Sequence, residues 1–116
     1  MSHPKYILKS TSNDRFHFNL TAKNGQVILT SQTYSAKSNA VNGIVSVQMN
    51  SSMEERYDRK MASNDHYYFN LKANNGQVIG TSEMYTSSEA RDNGIESVKQ
   101  NGQTIEVEDL TLVSQA

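Results

Sequence analysis

The chain of 116 residues contains no cysteine and no tryptophan, a single proline, and no apolar run longer than the three residues Val27-Ile28-Leu29. Without cysteine there is no disulfide framework, no thiolate zinc or iron–sulfur site and no Cys nucleophile. Without an apolar stretch approaching the ~20 residues that span a bilayer, no transmembrane helix is expected. Met1-Ser2-His3-Pro4-Lys5 is not followed by a signal-peptide-like apolar segment, so a soluble, cytoplasmic protein without membrane contact is expected. Charge of one sign is also lacking: 11 Lys+Arg stand against 12 Asp+Glu, for a net charge of −1. No basic field is available for non-specific nucleic acid binding, which makes nucleic acid an unfavoured partner.

What the chain does have is a repeat. Ser12-Asn13-Asp14 aligns with Ser63-Asn64-Asp65, and a constant step of 51 residues then holds without gaps to Asn50 and Asn101. Over these 39 positions 21 are identical, a level that only duplication explains. Tyr6 and Lys9 match Tyr57 and Lys60 further upstream. A single unit of about 50 residues buries too little apolar surface to be stable alone. The whole chain, 1–116, is therefore read as one domain of two repeats, 5–52 and 56–110.

Each repeat reads as three strands and a helix. Phe16, Phe18, Leu20 and Ala22 alternate with Arg15, His17, Asn19 and Thr21, and Tyr67, Phe69, Leu71 and Ala73 alternate with His66, Tyr68, Asn70 and Lys72. Period two with one apolar side marks a half-buried strand of an antiparallel sheet. Lys23-Asn24-Gly25 and Asn74-Asn75-Gly76 then turn the chain. A two-residue turn would pair Leu20 with Leu29 and Leu71 with Gly80. A three-residue loop would pair Leu20 with Ile28 and Leu71 with Ile79, and it is preferred because Gly80 is a poor core residue.

The helices follow Tyr34 and Tyr85. Thr86-Ser87-Ser88-Glu89 has capping-box spacing, and Ser35 with Ser38 gives a weaker version in the first repeat. The expected inward positions are Ala36, Ala40, Gly43, Ile44 and Val47, matched by Ser87, Ala90, Gly94, Ile95 and Val98. A mid-helix glycine costs about 1 kcal/mol relative to alanine. Its presence in both repeats implies close approach of the helix to the sheet, or else a break at Asn42-Gly43 and Asn93-Gly94. Thr104 to Leu110 alternates and reads as a final strand.

The blocks Asn-Gly-Gln-Val-Ile, Thr-Ser-x-x-Tyr and Asn-Gly-Ile-x-Ser-Val, each present twice, resemble the YegP-like family of small bacterial proteins. Gly76-Gln77-Val78-Ile79-Gly80-Thr81-Ser82-Glu83-Met84-Tyr85, followed by Ala90-Arg91-Asp92-Asn93-Gly94-Ile95, carries the resemblance most closely, and it covers roughly residues 5–110. It implies an α+β fold: two tandem β-β-β-α repeats plus a C-terminal strand, related by a pseudo-twofold axis. They would form one antiparallel sheet with exchanged C-terminal strands and two helices on one face. The family brings no established activity, cofactor or catalytic residue. Charge in Arg56-Tyr57-Asp58-Arg59-Lys60 marks an exposed edge or rim.

Candidate sites are few. His3, His17 and His66 show no metal-ligand spacing, so no metal or other cofactor is expected. Ser31 and Ser82 lie between strand and helix, where hydroxyls commonly bond backbone N–H groups. No nucleophile elbow or recurring histidine accompanies them, and no catalytic residue is assigned. The aromatic alternation superficially matches an RNA-stacking sheet, but a core face requires the same pattern. Asn19 and Asn70 stand out, because asparagine is a poor strand former and yet recurs on the polar face of both repeats. With Arg15, His17, His66, Tyr68 and Lys72, and with Thr21 beside them, they define a candidate binding face. A non-enzymatic module engaging a protein partner through that face is the expected function; a small-ligand or nucleic-acid binder is the alternative. Duplication within one chain makes a monomer the expected state.

Overall fold

The computed structural model describes residues 3–112. Each repeat begins with a hairpin, β1 (Lys5–Ser10) to β2 (Phe16–Thr21) and β4 (Tyr57–Met61) to β5 (Tyr67–Lys72). The connecting loops place Asp14 and Asp65 at φ 60 and 64, a left-handed conformation that aspartate tolerates better than most residues. This accounts for the repeated Ser-Asn-Asp. The third strands are β3 (Val27–Ser31) and β6 (Val78–Thr81), and the helices are α1 (Lys37–Asn50) and α2 (Ser88–Asn101). A short strand β7 (Val107–Asp109) follows α2 and leads into a 3-10 turn at Leu110–Leu112.

The seven strands form one sheet in the order β4-β5-β6-β3-β2-β1-β7. The third strands of the two repeats meet at the centre, antiparallel, with Thr30 opposite Thr81. The pseudo-twofold axis therefore runs between them. β7 lies parallel to β1, with Tyr6 opposite Val107, so the sheet is mixed: six antiparallel strands and one parallel addition. The C-terminal strand of repeat two thus covers repeat one. Among the described residues no strand repays the exchange, because the chain leaving α1 makes a 3-10 turn at Glu54–Arg56 and runs straight into β4. β4 is accordingly an outer edge, as its charges implied, and the final strand is shorter than the segment Thr104 to Leu110.

The hairpin register combines both of the alternatives read from the sequence. The loop has three residues, the Ala22 N–H donating to the Gln26 carbonyl at 2.9 Å with Gly25 at φ 85; in the second repeat Ala73 and Gln77 do the same and Gly76 has φ 87. A bulge then shifts the register, so Leu20 faces Leu29 and Leu71 faces Gly80, not Ile28 and Ile79. Ile28 and Ile79 are the extra residues and remain buried. Gly80 is tolerated in the core because the Leu29 side chain fills its place, 3.0 Å from where a Cβ would stand.

Both helices cover one face of the sheet and each reaches the other repeat's strands, α1 touching β5 and β6 and α2 touching β2 and β3. The helices are continuous through Gly43 and Gly94, where an added Cβ would strike the hydroxyl ends of Tyr34 and Tyr85. Ala40, Gly43, Ile44 and Val47 point inward, as do Gly94, Ile95 and Val98, while Ala90 is only half-buried. Ala36 and Ser87 are not inward helical residues but N-caps. Ser87 Oγ accepts from the Ala90 N–H at 3.0 Å, one residue later than the expected box, and Ala36 offers no side-chain cap. At the other ends Asn50 and Asn101 donate to the carbonyls of Ser46 and Ser97, each at 2.8 Å. One apolar cluster joins β1 to β6 and both helices, centred on Phe18, Leu20, Leu29, Phe69, Leu71, Ile95 and Val98.

Candidate functional site

The face away from the helices is built from the alternate residues of the same strands. Phe18 and Leu20 must point to the helices, so His17, Asn19 and Thr21 point away, and Tyr68, Asn70 and Lys72 do so in β5. Four strands meet there in register: Asn19 lies opposite Thr30, Thr30 opposite Thr81, and Thr81 opposite Asn70. Asn19 Nδ2 donates to Thr30 Oγ1 at 2.9 Å, and Thr81 Oγ1 donates to Asn70 Oδ1 at 2.8 Å. Each repeated asparagine therefore bonds the threonine of the adjoining central strand, one such pair on each side of the pseudo-twofold axis. Asn19 is 6% exposed and Asn70 half-buried, so their repetition has a reason within the fold.

The candidate residues around those pairs separate into two groups. His17, Asn19, Tyr68, Asn70 and Lys72 share the open face. Arg15 and His66 sit at its rim and turn to local partners: Arg15 Nε donates to Thr33 Oγ1 at 3.3 Å, while the His66 ring Nδ1 lies 3.2 Å from the Asn64 carbonyl. Thr21 is buried, its hydroxyl donating to the Lys5 carbonyl at 3.2 Å. His17 lies opposite Lys9, and burial followed by the Lys9 charge lowers its pKa below the ordinary histidine value.

Residues missed in the sequence lie on the outer strands. Lys5 and Lys9 of β1, and Asp58 and Lys60 of β4, alternate onto the same face. Lys5 pairs with Glu108 at 2.6 Å, and Asp58 takes both Lys60 at 3.4 Å and Lys72 at 3.7 Å. Four lysines thus face two carboxylates on a protein whose overall charge is −1. The repetition of Lys9 as Lys60 was the available signal; it pointed here only once the flanking strands were placed.

Ser31 and Ser82 have a backbone role. Each hydroxyl accepts from the Phe18 or Phe69 N–H, at 2.9 and 3.0 Å, and donates to the next carbonyl, of Gln32 or Glu83. They complete the ladder where the strand departs toward the helix. Among the described residues no three His, Asp or Glu side chains gather as a metal site would require, and no helix is long and apolar enough to cross a membrane.

A pair of ~50-residue units that complete one sheet within a single chain defines a class: tandem-repeat α+β proteins in which the copies share a core. The family described as "Domain of unknown function (DUF1508)" matches residues 11–58 and again 62–109. The chain is 59% identical over 106 residues to a UPF0339 protein of Shewanella oneidensis, covering 91% of this chain and 96% of that one. It is 51% identical, over the same shares of each chain, to the UPF0339 protein YegP of Escherichia coli K12. The solution NMR structure of a Shewanella oneidensis UPF0339 protein superposes with a TM-score of 0.91 at 57% identity, covering 99% of this chain and 97% of that one. The NMR structure of E. coli yegP, a protein of unknown function, gives 0.89 at 47%, with 95% of each chain covered. The chain belongs to this DUF1508 family of bacterial tandem-repeat proteins, whose function is unknown.

Proposed function

We propose that the protein is a non-enzymatic interaction module, monomeric through its internal duplication, that engages a protein partner with its open polar sheet face. The observation behind this reading is the concentration of Lys5, Lys9, Lys60 and Lys72 around a hydrogen-bonded centre that carries no helix. Such a face offers donors and positive charge to an acidic protein surface, and the paired strands set their spacing. The binding residues are His17, Tyr68 and Lys72 with the flanking lysines. Asn19 and Asn70 support them from below, and Arg15 and His66 stand at the rim. A nucleic acid or an anionic small ligand is the second reading, favoured by the same excess of lysine over carboxylate.

The test is capture of partners from cell lysate by the tagged protein and by a Lys9→Glu/Lys60→Glu variant, with and without nuclease. The proposal expects a retained protein that survives nuclease and is lost in the variant. Loss on nuclease treatment moves the assignment to nucleic acid, and identical retention by both versions removes the face from consideration.

A further inference from the structure

From the glycine onward the two helices bury the same residues, Gly-Ile, Val and Asn, and they expose different ones. After Lys37, α1 has no charged residue, whereas α2 has Glu89, Arg91, Asp92, Glu96 and Lys99. On the outer side Val41, Val45 and Met49, 42%, 45% and 68% exposed, occupy the positions where α2 carries Asp92, Glu96 and Gln100. Valine and methionine at three successive turns are costly on a free surface and useful on an interface.

A trough runs beside this helix, between α1 and the β5–β6 hairpin. Its larger part, about 750 Å³, has Tyr34, Ala73 and Ile79 in its floor and Gln32, Asn39, Asn42, Asn75 and Gln77 along its rim. An adjoining part of about 440 Å³ shares Asn42 and Ser46 and continues to Val45 and Met49. No lysine, arginine, aspartate or glutamate lines either part. Arg56 stands only at the far end of the smaller part, where it bonds Asn50 and Asn74 at 2.8 and 3.0 Å; along the larger part a charged ligand group would lose water without gaining a counter-charge, so that part selects uncharged ligands. A carboxamide carries both a donor and an acceptor, the complement of a peptide group; Asn75 keeps its donor for a ligand, since its oxygen accepts from the Gln77 N–H at 3.0 Å. From Asn39 to Asn50 the helix runs roughly 16 Å at 1.5 Å per residue, the reach of about five residues of extended chain. Methionine at the outer end adapts to varied side chains.

We propose that this trough binds a short, extended, uncharged segment of a partner protein, its peptide groups held by the rim carboxamides and its apolar side chains seated against Ile79, Val45 and Met49. This site lies on the side opposite the open face and does not depend on that face binding anything.

The probe is an immobilised library of acetylated, amidated hexapeptides, followed by ¹⁵N NMR titration of the full chain with the strongest binder. Expected are enrichment of peptides lacking charged residues, salt-insensitive binding, and shifts of the Asn42, Asn75 and Gln77 side-chain amides. The deciding variant is Val45→Glu/Met49→Gln, which places on α1 the residues α2 already carries at those positions. Its fold, checked by NMR, should be retained, and its binding should weaken at least about tenfold. Enrichment of charged peptides only, no enrichment, shifts confined to the open face, or undiminished binding by the folded variant each overturn the proposal. So does a concentration-dependent dimer of the protein alone that shifts the same resonances, because the occupant would then be a second copy.

Discussion

Tyr6 donates its hydroxyl proton to the Gly102 carbonyl beyond α2, and Tyr57, its counterpart, donates to the Ser51 carbonyl beyond α1 at 2.6 Å. Each ring also packs edge-on against the phenylalanine of the neighbouring strand, Phe18 or Phe69, at the same centroid distance of 5.7 Å. The repeats are thus nearly interchangeable where they are buried. They part where the axis forces two copies into one place. Leu29 fills the space of a side chain at Gly80, and Ser51 fills the space of one at Gly102. They part again at the surface: β7 covers β1 but, among the described residues, no strand pairs with the outer edge of β4, and α1 is apolar where α2 is charged. Duplication supplied the core, and divergence on the axis made it close.

Forcing symmetry at the axis should have the largest effect. Gly80→Leu puts two leucines into one space and is expected to cost about 3 kcal/mol or more. The exchange Leu29→Gly/Gly80→Leu should recover a large part of that loss, and urea unfolding of the two variants checks it. If the exchange is no better than Gly80→Leu alone, the two positions do not share one space. Next come the paired serines. Ser31→Ala and Ser82→Ala each strand a buried N–H, of Phe18 or Phe69, and should cost about 1–3 kcal/mol by a matching amount. Unequal losses would show that the repeats are alike in geometry and unlike in energy. Asn19→Ala should cost about 1 kcal/mol, and Asn70→Ala less, because Asn19 is the more buried of the two.

The buried tyrosines add a pH dependence of known sign. Burial pushes the Tyr6 and Tyr57 hydroxyls above the ordinary tyrosine value, so the unfolded chain ionises first. Their contribution is complete below about pH 10 and declines as pH rises above it. In an alkaline titration followed by ultraviolet absorbance, these two should ionise only together with unfolding. Tyr6→Phe and Tyr57→Phe should each flatten that alkaline decline.

Much of this was legible in the residues, for physical reasons that can be named. Strand alternation placed Phe18 against His17 and Asn19, and the repeated Gly43 and Gly94 marked the close approach that Tyr34 and Tyr85 now explain. The bulge was not legible: Ile28 and Leu29 are equally apolar, and only their pairing distinguishes the extra residue from the partner of Leu20. Neither was the parallel pairing of β7, because Val107-Glu108-Asp109 alternates without stating which edge it joins. Asn19 and Asn70 were marked by their repetition, but their partners Thr30 and Thr81 lie across a strand, where sequence spacing carries no information. The trough was missed because it joins a helix of one repeat to a hairpin of the other.

The central claim is that the two repeats form one cooperative core across the pseudo-twofold axis. Native-state hydrogen exchange tests it most directly. The Phe18 and Leu20 amides of β2 and the Phe69 and Leu71 amides of β5 should exchange only through global unfolding, with the same free energy in both repeats, while β4 and β7 open more readily. A repeat whose central strands exchange at a distinctly lower free energy than those of the other would contradict a shared core.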